Sequence, residues 1–433
     1  MNINKPIRFL LFILLLTLTA CNMPFGNNED DNGDWETSSP TANENETTLP
    51  PQAPIPEYSA GDKWSLWVGT TQLRGVNIYQ RVVIPDLDGD EFLGSGPFGP
   101  PFTQADFDRL AALGANYVNI SGPGLFNWEP PYGIDEQAVA HMDNLLAMIA
   151  KADMFAVITA RSGPGRSPFA ITRWVEEENP ELLVENIWED EAAQQAYADM
   201  WRWTAERYRD NPIVVGYDLM CEPNSTAKFG LWEPEEFYEQ YGGTTHDWNT
   251  FHPLITAAIR EVDPKTPILV SAEGWGGVLW LPYLETTGDP RTVYMVHQYE
   301  PQDQYTHQEL PALNSYPGNF DLDYDGSPDT FDRNWLDDFL KIIDQYRQEH
   351  SVPVAVNEFG VYRFSPGAAE FMTDEMNLFD ARGLNHALWS WDPAWDYWTE
   401  EVNEFVFRFG PDPKNISDVP SNDLMDAIIA NWS

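Results

Sequence analysis

Eight short apolar runs, separated by amphipathic stretches, restrict the fold of this chain more than any other feature. They fall at 72–78, 117–121, 155–160, 213–220, 268–272, 293–297, 354–357 and 386–390. Each is too continuously apolar to leave one face in water, so each suits a parallel strand covered on both sides. Between them, apolar residues recur at helical spacing. Thr103-Gln-Ala-Asp106 has the form of a capping box and opens a helix that Gly114 ends. Further helices are expected at 135–151, 191–208, 248–262, 334–348, 368–381 and 421–429, with a long excursion between the third and fourth strands. Strand–helix alternation repeated eight times predicts an α/β fold, a (β/α)8 TIM barrel forming a single catalytic domain over 58–433. A doubly wound sheet is the alternative, but no Gly-rich phosphate turn follows the first run.

In such a barrel, chemistry gathers where the strands end. The ends here carry, in order, Asn77, Asn119, Arg161, Glu222, Glu273, His297 with Tyr299, Glu358, and Trp389 with Trp391. Plain stops would be Gly, Ser or Lys. Glu222 and Glu358 close the fourth and seventh runs, which lie across the barrel mouth from each other. Acetal hydrolysis needs two carboxyls in different protonation states, one to protonate the leaving oxygen and one to attack or to activate water.

Composition narrows the partner. Sixty-nine acidic residues against 24 basic ones give a formal charge of −45. That surface repels nucleic acid and anionic headgroups, so a neutral substrate fits better. Eighteen Trp offer flat faces for a weakly charged ligand as well as for a core. The N-terminus is a targeting segment. Lys5 and Arg8 precede the apolar run 9–16, which is too short to span a membrane comfortably. The run leads into Leu18-Thr-Ala-Cys21, which resembles the lipobox of bacterial lipoproteins and implies cleavage before Cys21 and lipid on that residue. An ordinary secretory peptide or a short anchor is the other reading. Residues 22–57 contain no Lys or Arg and end in "LPPQAPIPE". The stretch 21–57 therefore reads as an acidic, Pro-rich, disordered tether, and 1–20 as the signal peptide.

Taken together, "LRGVN" (73–77), "YDLMCEPN" (217–224), "VHQYE" (296–300), "VAVNEFG" (354–360) and "ALWSW" (387–391) resemble glycoside hydrolase family 5, of the clan of retaining (β/α)8 glycosidases. The resemblance covers about 64–433. It implies Glu222 as general acid/base and Glu358 as nucleophile. It also implies that His297 and Tyr299 are the pair on the sixth strand, with the Tyr hydroxyl holding the nucleophile. Trp389 would be the floor under the reacting sugar, with Trp391 a second candidate. For these roles Glu222 should have a raised pKa and Glu358 should stay ionised. Two positions depart from the family. Cys221 stands where an Asn usually binds the sugar's 2-hydroxyl, and Asn119 where an Arg usually braces the nucleophile. Arg161, in "TARSGPGR" (159–166), is the nearest cation able to supply that charge.

Other features have two readings. Asp321, Asp323, Asp325, Asp329 and Asp332, with Gly326, match the spacing of a twelve-residue calcium loop; a solvated acidic loop is the alternative. Asp86-Leu-Asp88-Gly-Asp90 is a weaker echo. Trp128, Trp275, Trp280, Trp395 and Trp398 fall in loops at the mouth, and at least two are expected to line the cleft. Trp64, Trp67, Trp201 and Trp203 read as core. Glu273 is expected to pair with Arg161, to bind a sugar hydroxyl, or to form a structural ion pair. Cys221 reads as a buried thiol, and His141 and His386 as ordinary residues. The expected protein is a retaining β-glycosidase on neutral β-glycan, most simply an endo-β-1,4-glucanase. It needs no cofactor for catalysis, acts as a monomer, and is lipid-anchored at the bacterial cell surface. A β-mannanase, a glycosidase of short oligosaccharides, and a non-catalytic carbohydrate-binding lipoprotein are the alternatives.

Overall fold

In a computed structural model, eight parallel strands close into a barrel in chain order. Residues 62–84, 97–171, 179–311, 313–322, 324–393 and 400–433 are described. Cys21 and the tether, Asp86, Asp88, Asp90, Asp323, Trp395 and Trp398 lie outside the described residues. The strands are β1 (Arg74–Tyr79), β2 (Tyr117–Gly122), β3 (Phe155–Ala160), β4 (Val214–Asp218), β5 (Ile268–Ser271), β6 (Thr292–Gln298), β7 (Val354–Phe359) and β8 (His386–Leu388). β8 pairs back onto β1, with Val76 opposite Leu388, so no strand edge is left open.

The helices that bear on the argument are α1 (Gln104–Ala112), α2 (Glu136–Lys151), α3 (Glu191–Tyr208), α4 (Trp248–Arg260), α5 (Arg333–Phe339), α6 (Lys341–His350), α7 (Ala368–Arg382) and α8 (Asp423–Trp432), and two short ones lie at Pro234–Tyr241 and Glu400–Phe405. The Thr103–Asp106 capping box forms as expected. Two crossovers differ from expectation. The stretch 334–348 is two helices meeting at Leu340, and β5 connects to β6 through the 3-10 helix Val278–Tyr283. Among the described residues no helix is long and apolar enough to cross a membrane.

The barrel interior is layered. Leu73, Tyr117, Val157, Val215, Leu269, Val293, Met295, Ala355 and Ala387 form an apolar plug, capped by Trp64 and Trp67 from the turn Lys63–Trp67. Trp67 donates its indole N–H to Val215 O at 2.9 Å. Gly75 leaves room for this packing, since a Cβ there would sit 1.9 Å from Tyr117 O. Trp201 is buried as expected, while Trp203 is half-buried against Phe126.

A second layer is polar. Asn119 Nδ2 donates to Asn77 Oδ1 at 2.5 Å, and Asn77 Nδ2 donates to Asn357 O at 2.8 Å. Asn357 Nδ2 donates to Asp218 Oδ2 at 2.9 Å. Thr159 Oγ1 lies 2.5 Å from Asn119 Oδ1 and 3.0 Å from Asp218 Oδ2. A hydroxyl has one proton to give, so both short contacts are satisfied when Asp218 is itself protonated. Burial does push Asp218 up, to about 7. Asn119 is wholly inside the barrel and belongs to this ring, whereas its place at the end of an apolar run leads to the expectation of a group at the mouth. Asn119→Ala should lower stability by about 1–3 kcal/mol, because it strands Asn77 and Thr159 in a dry interior. Denaturant titration measures that loss; a large rise in KM without loss of stability would contradict the assignment.

Candidate active site

β4 ends at Asp218, and Glu222 follows four residues later in the turn that leads away from it. Glu222 has a φ of +54°, a left-handed conformation uncommon outside glycine, and it precedes a proline. Glu358 lies within β7. The pairing of β7 with β6 shifts between Val356 and Glu358, which puts Glu358 opposite His297. This bulge breaks the usual alternation. Asn357 reaches Asp218 in the polar layer, while its neighbour Glu358 faces the mouth.

His297 joins the two carboxyls. Its Nδ1 is 3.1 Å from Glu222 Oε1 and 3.4 Å from Glu358 Oε2. One oxygen of each carboxyl and one imidazole nitrogen all lie within 4.8 Å of one another. Tyr299 donates its hydroxyl to Glu358 Oε2 at 3.3 Å. The Cys221 thiol is buried, and its sulfur stands 3.6 Å from Glu358 Oε1. Arg161 extends from β3 to donate to Ser121 Oγ at 3.0 Å and lies 3.7 Å from Cys221 Sγ. Its guanidinium lies 4.5 Å from the Tyr79 ring and 5.4 Å from the Trp389 ring. Tyr79 and Trp389 are 6.0 Å apart, and Tyr299 and Phe405 complete an aromatic wall.

Burial opposes every charge in this cup, and the neighbours decide the outcome. For His297, burial acts to lower the pKa, but Glu358, Glu222 and Asp218 outweigh it and raise it to about 8. For Glu222, burial acts upward, but the hydrogen bond and charge of His297, helped by Arg161 and Arg166, hold it below its ordinary value. Burial pushes Glu358 up, and Glu222 adds to that push against the pull of His297 and Arg161. The expected order is thus reversed. The imidazole sits closer to Glu222, so Glu222 is the more readily ionised of the two. Burial likewise holds the Cys221 thiol protonated by raising its pKa.

Other residues expected at the site have different fates. Glu273 is fully buried and does not reach Arg161; its Oε1 accepts from Thr226 N at 3.1 Å and Ser225 Oγ at 3.3 Å, fixing the loop after Glu222. Trp391 is buried outside the barrel mouth, between Phe407 and the Arg408 guanidinium, which lies 3.9 Å from its ring. Trp280 packs into the core against Phe237, and Trp128 is half-buried. Trp275 does border the site, since its backbone N–H donates to Pro223 O at 3.0 Å, while its indole N–H donates to Ile171 O at 3.4 Å. Trp232, which no sequence signal singled out, stacks on Trp275 with centroids 5.5 Å apart and stays 62% exposed.

The acidic run at 321–332 forms a turn between two short antiparallel strands, Gly318–Phe320 and Asp329–Phe331. Asp321, Asp325 and Asp329 accept from Gly326 N, Ser327 N and Leu322 N, and Asp332 caps α5 through Asn334 N and Trp335 N. Among the described residues, the one convergent set of three or more His, Cys, Asp or Glu ligand atoms is Glu222, His297 and Glu358, not this run.

Comparison with known proteins agrees with the geometry. The endoglucanase of Paenibacillus polymyxa is 26% identical over 211 residues, 45% of this chain and 46% of that protein, so the chain spans under half the length of that relative. Endoglucanase C of Acetivibrio thermocellus is 20% identical over 322 residues, 67% of this chain and 83% of that enzyme. Among solved structures, Thermotoga maritima Cel5A in complex with cellobiose has a TM-score of 0.58 at 19% identity, over 85% of this chain and 98% of that one, a likeness of fold. The family described as cellulase, glycosyl hydrolase family 5, matches residues 83–394. With both carboxyls, the imidazole and the tyrosine meeting at the ends of the fourth, sixth and seventh strands, and that match running through all three, this chain belongs to glycosyl hydrolase family 5.

Proposed function

We propose that the protein is a retaining endo-β-1,4-glucanase acting on neutral β-glucan. The observation that carries this reading is the meeting of Glu222, Glu358 and His297 within 4.8 Å. Retention by a covalent intermediate needs carboxyls about 5–5.5 Å apart, whereas inversion needs about 6.5–9.5 Å to admit a water. In this reading Glu358 attacks the anomeric carbon while the glycosidic C–O bond breaks and the leaving oxygen takes a proton from Glu222. Glu222 then takes a proton from water, which attacks the same carbon and releases Glu358. Tyr299 holds Glu358 in line for attack, and Trp389 supports the sugar ring. The Trp232–Trp275 stack supports a substrate that continues beyond the reacting sugar on the side of Glu222. No cofactor enters this chemistry.

The electrostatics fit these roles once the protons are counted. The cup needs one proton for the leaving group, and His297 holds it 3.1 Å from Glu222 Oε1. Passing it to Glu222 leaves a neutral imidazole, a protonated donor and an ionised Glu358. A β-mannanase is the second reading. Cys221, in place of an Asn at the 2-hydroxyl, favours it. Anchoring through lipid on Cys21 at the bacterial cell surface, with the acidic stretch as spacer, completes the proposal.

Three outcomes are expected. Wild type should release reducing ends from soluble β-glucan with the β-anomer formed first by NMR, and Glu222→Ala and Glu358→Ala should each lose about 10²-fold or more in kcat. Initial formation of the α-anomer would exclude double displacement, faster cleavage of mannan would favour the second reading, and binding without turnover would leave a carbohydrate-binding protein. The kcat/KM profile should be a bell. Its rate falls above about pH 8, as the stored proton leaves His297, and falls again on the acid side as Glu358, raised above the usual carboxyl range, takes a proton. His297→Asn should move the alkaline limb to lower pH; an unmoved limb would assign it to another group. Finally, Cys21→Ser should transfer activity from the membrane pellet to the soluble fraction, and a wild-type protein already soluble in cells would refute the anchor.

A further inference from the structure

Arg166 is completely buried, and all the hydrogen bonds of its side chain go to the turn that carries Glu222. Nη2 donates to Glu222 O at 2.9 Å and more weakly to Cys221 O at 3.4 Å, while Nη1 donates to Asn224 Oδ1 at 2.9 Å. Asn224 is in turn fixed by its Nδ2, which donates to Ala170 O at 3.1 Å. Among the described residues, no carboxylate lies within ion-pair distance of Arg166. Its hydrogen bonds go to neutral acceptors, and the carboxyls that feel its charge, Glu222 and Glu273, act from beyond ion-pair distance; a cation buried on such terms is costly, so a purely structural role would be served more cheaply by an apolar side chain of similar size.

The loop that delivers Arg166 is rigid. Gly163 and Arg166 exchange two backbone hydrogen bonds, of 2.9 and 2.8 Å, across a tight turn. Gly165 sits at its tip with a φ of +73°, so close to α3 that a Cβ would lie 2.7 Å from Ala193 Cβ. On the receiving side, Glu222 holds a left-handed backbone before Pro223, a conformation that costs roughly 1–3 kcal/mol and persists only where the surroundings enforce it. Its restraints are Trp275 N on Pro223 O, Cys221 N on Ala160 O, and Arg166 on the carbonyl of Glu222 itself.

We infer that Arg166 is a positioning residue for the proton donor: its planar fork grips the Glu222 carbonyl and the Asn224 amide, and so sets the direction in which the Glu222 carboxyl enters the cup. A lysine cannot span both acceptors in one plane. The inference rests on the reading of Glu222 as the acid. Its consequence is selective, because Glu358 and Tyr299 stand on other strands and keep their geometry when the grip is lost. Proton donation to the leaving oxygen then suffers, and nucleophilic attack does not.

The test uses two substrates and the full-length enzyme. Soluble β-glucan has a leaving group that needs a proton; 2,4-dinitrophenyl β-cellobioside has one that does not. Arg166→Lys and Asn224→Ala should each lower kcat on β-glucan by about 10–100-fold, in line with loss of general acid catalysis. On the dinitrophenyl substrate kcat/KM, which reports the attack step, should stay within about threefold of wild type, while kcat falls because Glu222 also activates the water of the second step. Equal losses of kcat/KM on both substrates would make Arg166 a structural residue and overturn the inference, as would unchanged kcat/KM on both. Arg166→Met adds a shape-matched variant, and Asn224→Ala keeps the test open if either Arg166 variant fails to fold. A wild-type enzyme that cleaves neither substrate would instead refute the underlying reading of the site.

Discussion

Two carboxylates held in one dry cup repel each other, and the imidazole of His297 is what allows both to remain. At 4.8 Å and an effective dielectric of about 20, the repulsion is about 3–4 kcal/mol, as large as many single contributions to folding stability. Placing a cation between them turns that cost into two attractive contacts. It also explains why His297 is raised and Glu222 lowered while Glu358 remains high. The three groups behave as one titrating unit with a shared proton, and the single-residue expectation of a protonated Glu222 misses this. The asymmetry is geometric: His297 Nδ1 lies 3.1 Å from one carboxyl and 3.4 Å from the other.

The cup depends on what lies under it. An apolar plug closes the barrel floor, and above it a hydrogen-bonded ring of Asn77, Asn119, Thr159, Asp218 and Asn357 ties five strands together. This ring sits directly behind the reacting carboxyls in chain terms, since Asn357 adjoins Glu358 and Asp218 begins the approach to Glu222. A hydrogen-bonded polar layer keeps those strand ends in register and specifies one arrangement. The β7 bulge is the joint between the two layers. It allows adjacent residues to face different ways, Asn357 into the polar layer and Glu358 into the cup.

The aromatic residues divide in the same way. Tyr79, Trp389 and Tyr299 line the cup, and Trp275 and Trp232 extend outward past Glu222. Trp391 and Trp280, equally plausible by sequence position, are turned into the packing between barrel and outer layer. Burial of an indole against a guanidinium or a tyrosine satisfies it as well as a sugar would, so residue type alone does not separate the two.

The sequence by itself determined the order and count of the strands, the two carboxyls, and the His297–Tyr299 pair. Continuous apolar runs and the residues that end them are local properties, and the barrel follows from burying every run on both faces. Position along a strand was less legible. Asn119, Glu273 and Trp391 each end an apolar run, yet one points into the barrel, one anchors a loop and one packs outward, because strand ends, bulges and turns set the direction of each side chain. The calcium-like spacing at 321–332 falls in a hairpin turn whose acids accept from backbone amides and cap a helix, a use that spacing alone does not foretell. Only the tertiary structure could decide that Arg166 grips the Glu222 turn, that Asp218 and Asn357 meet, and which carboxyl the imidazole favours. Those outcomes depend on distances between residues more than fifty positions apart, and on burial that no window of sequence contains.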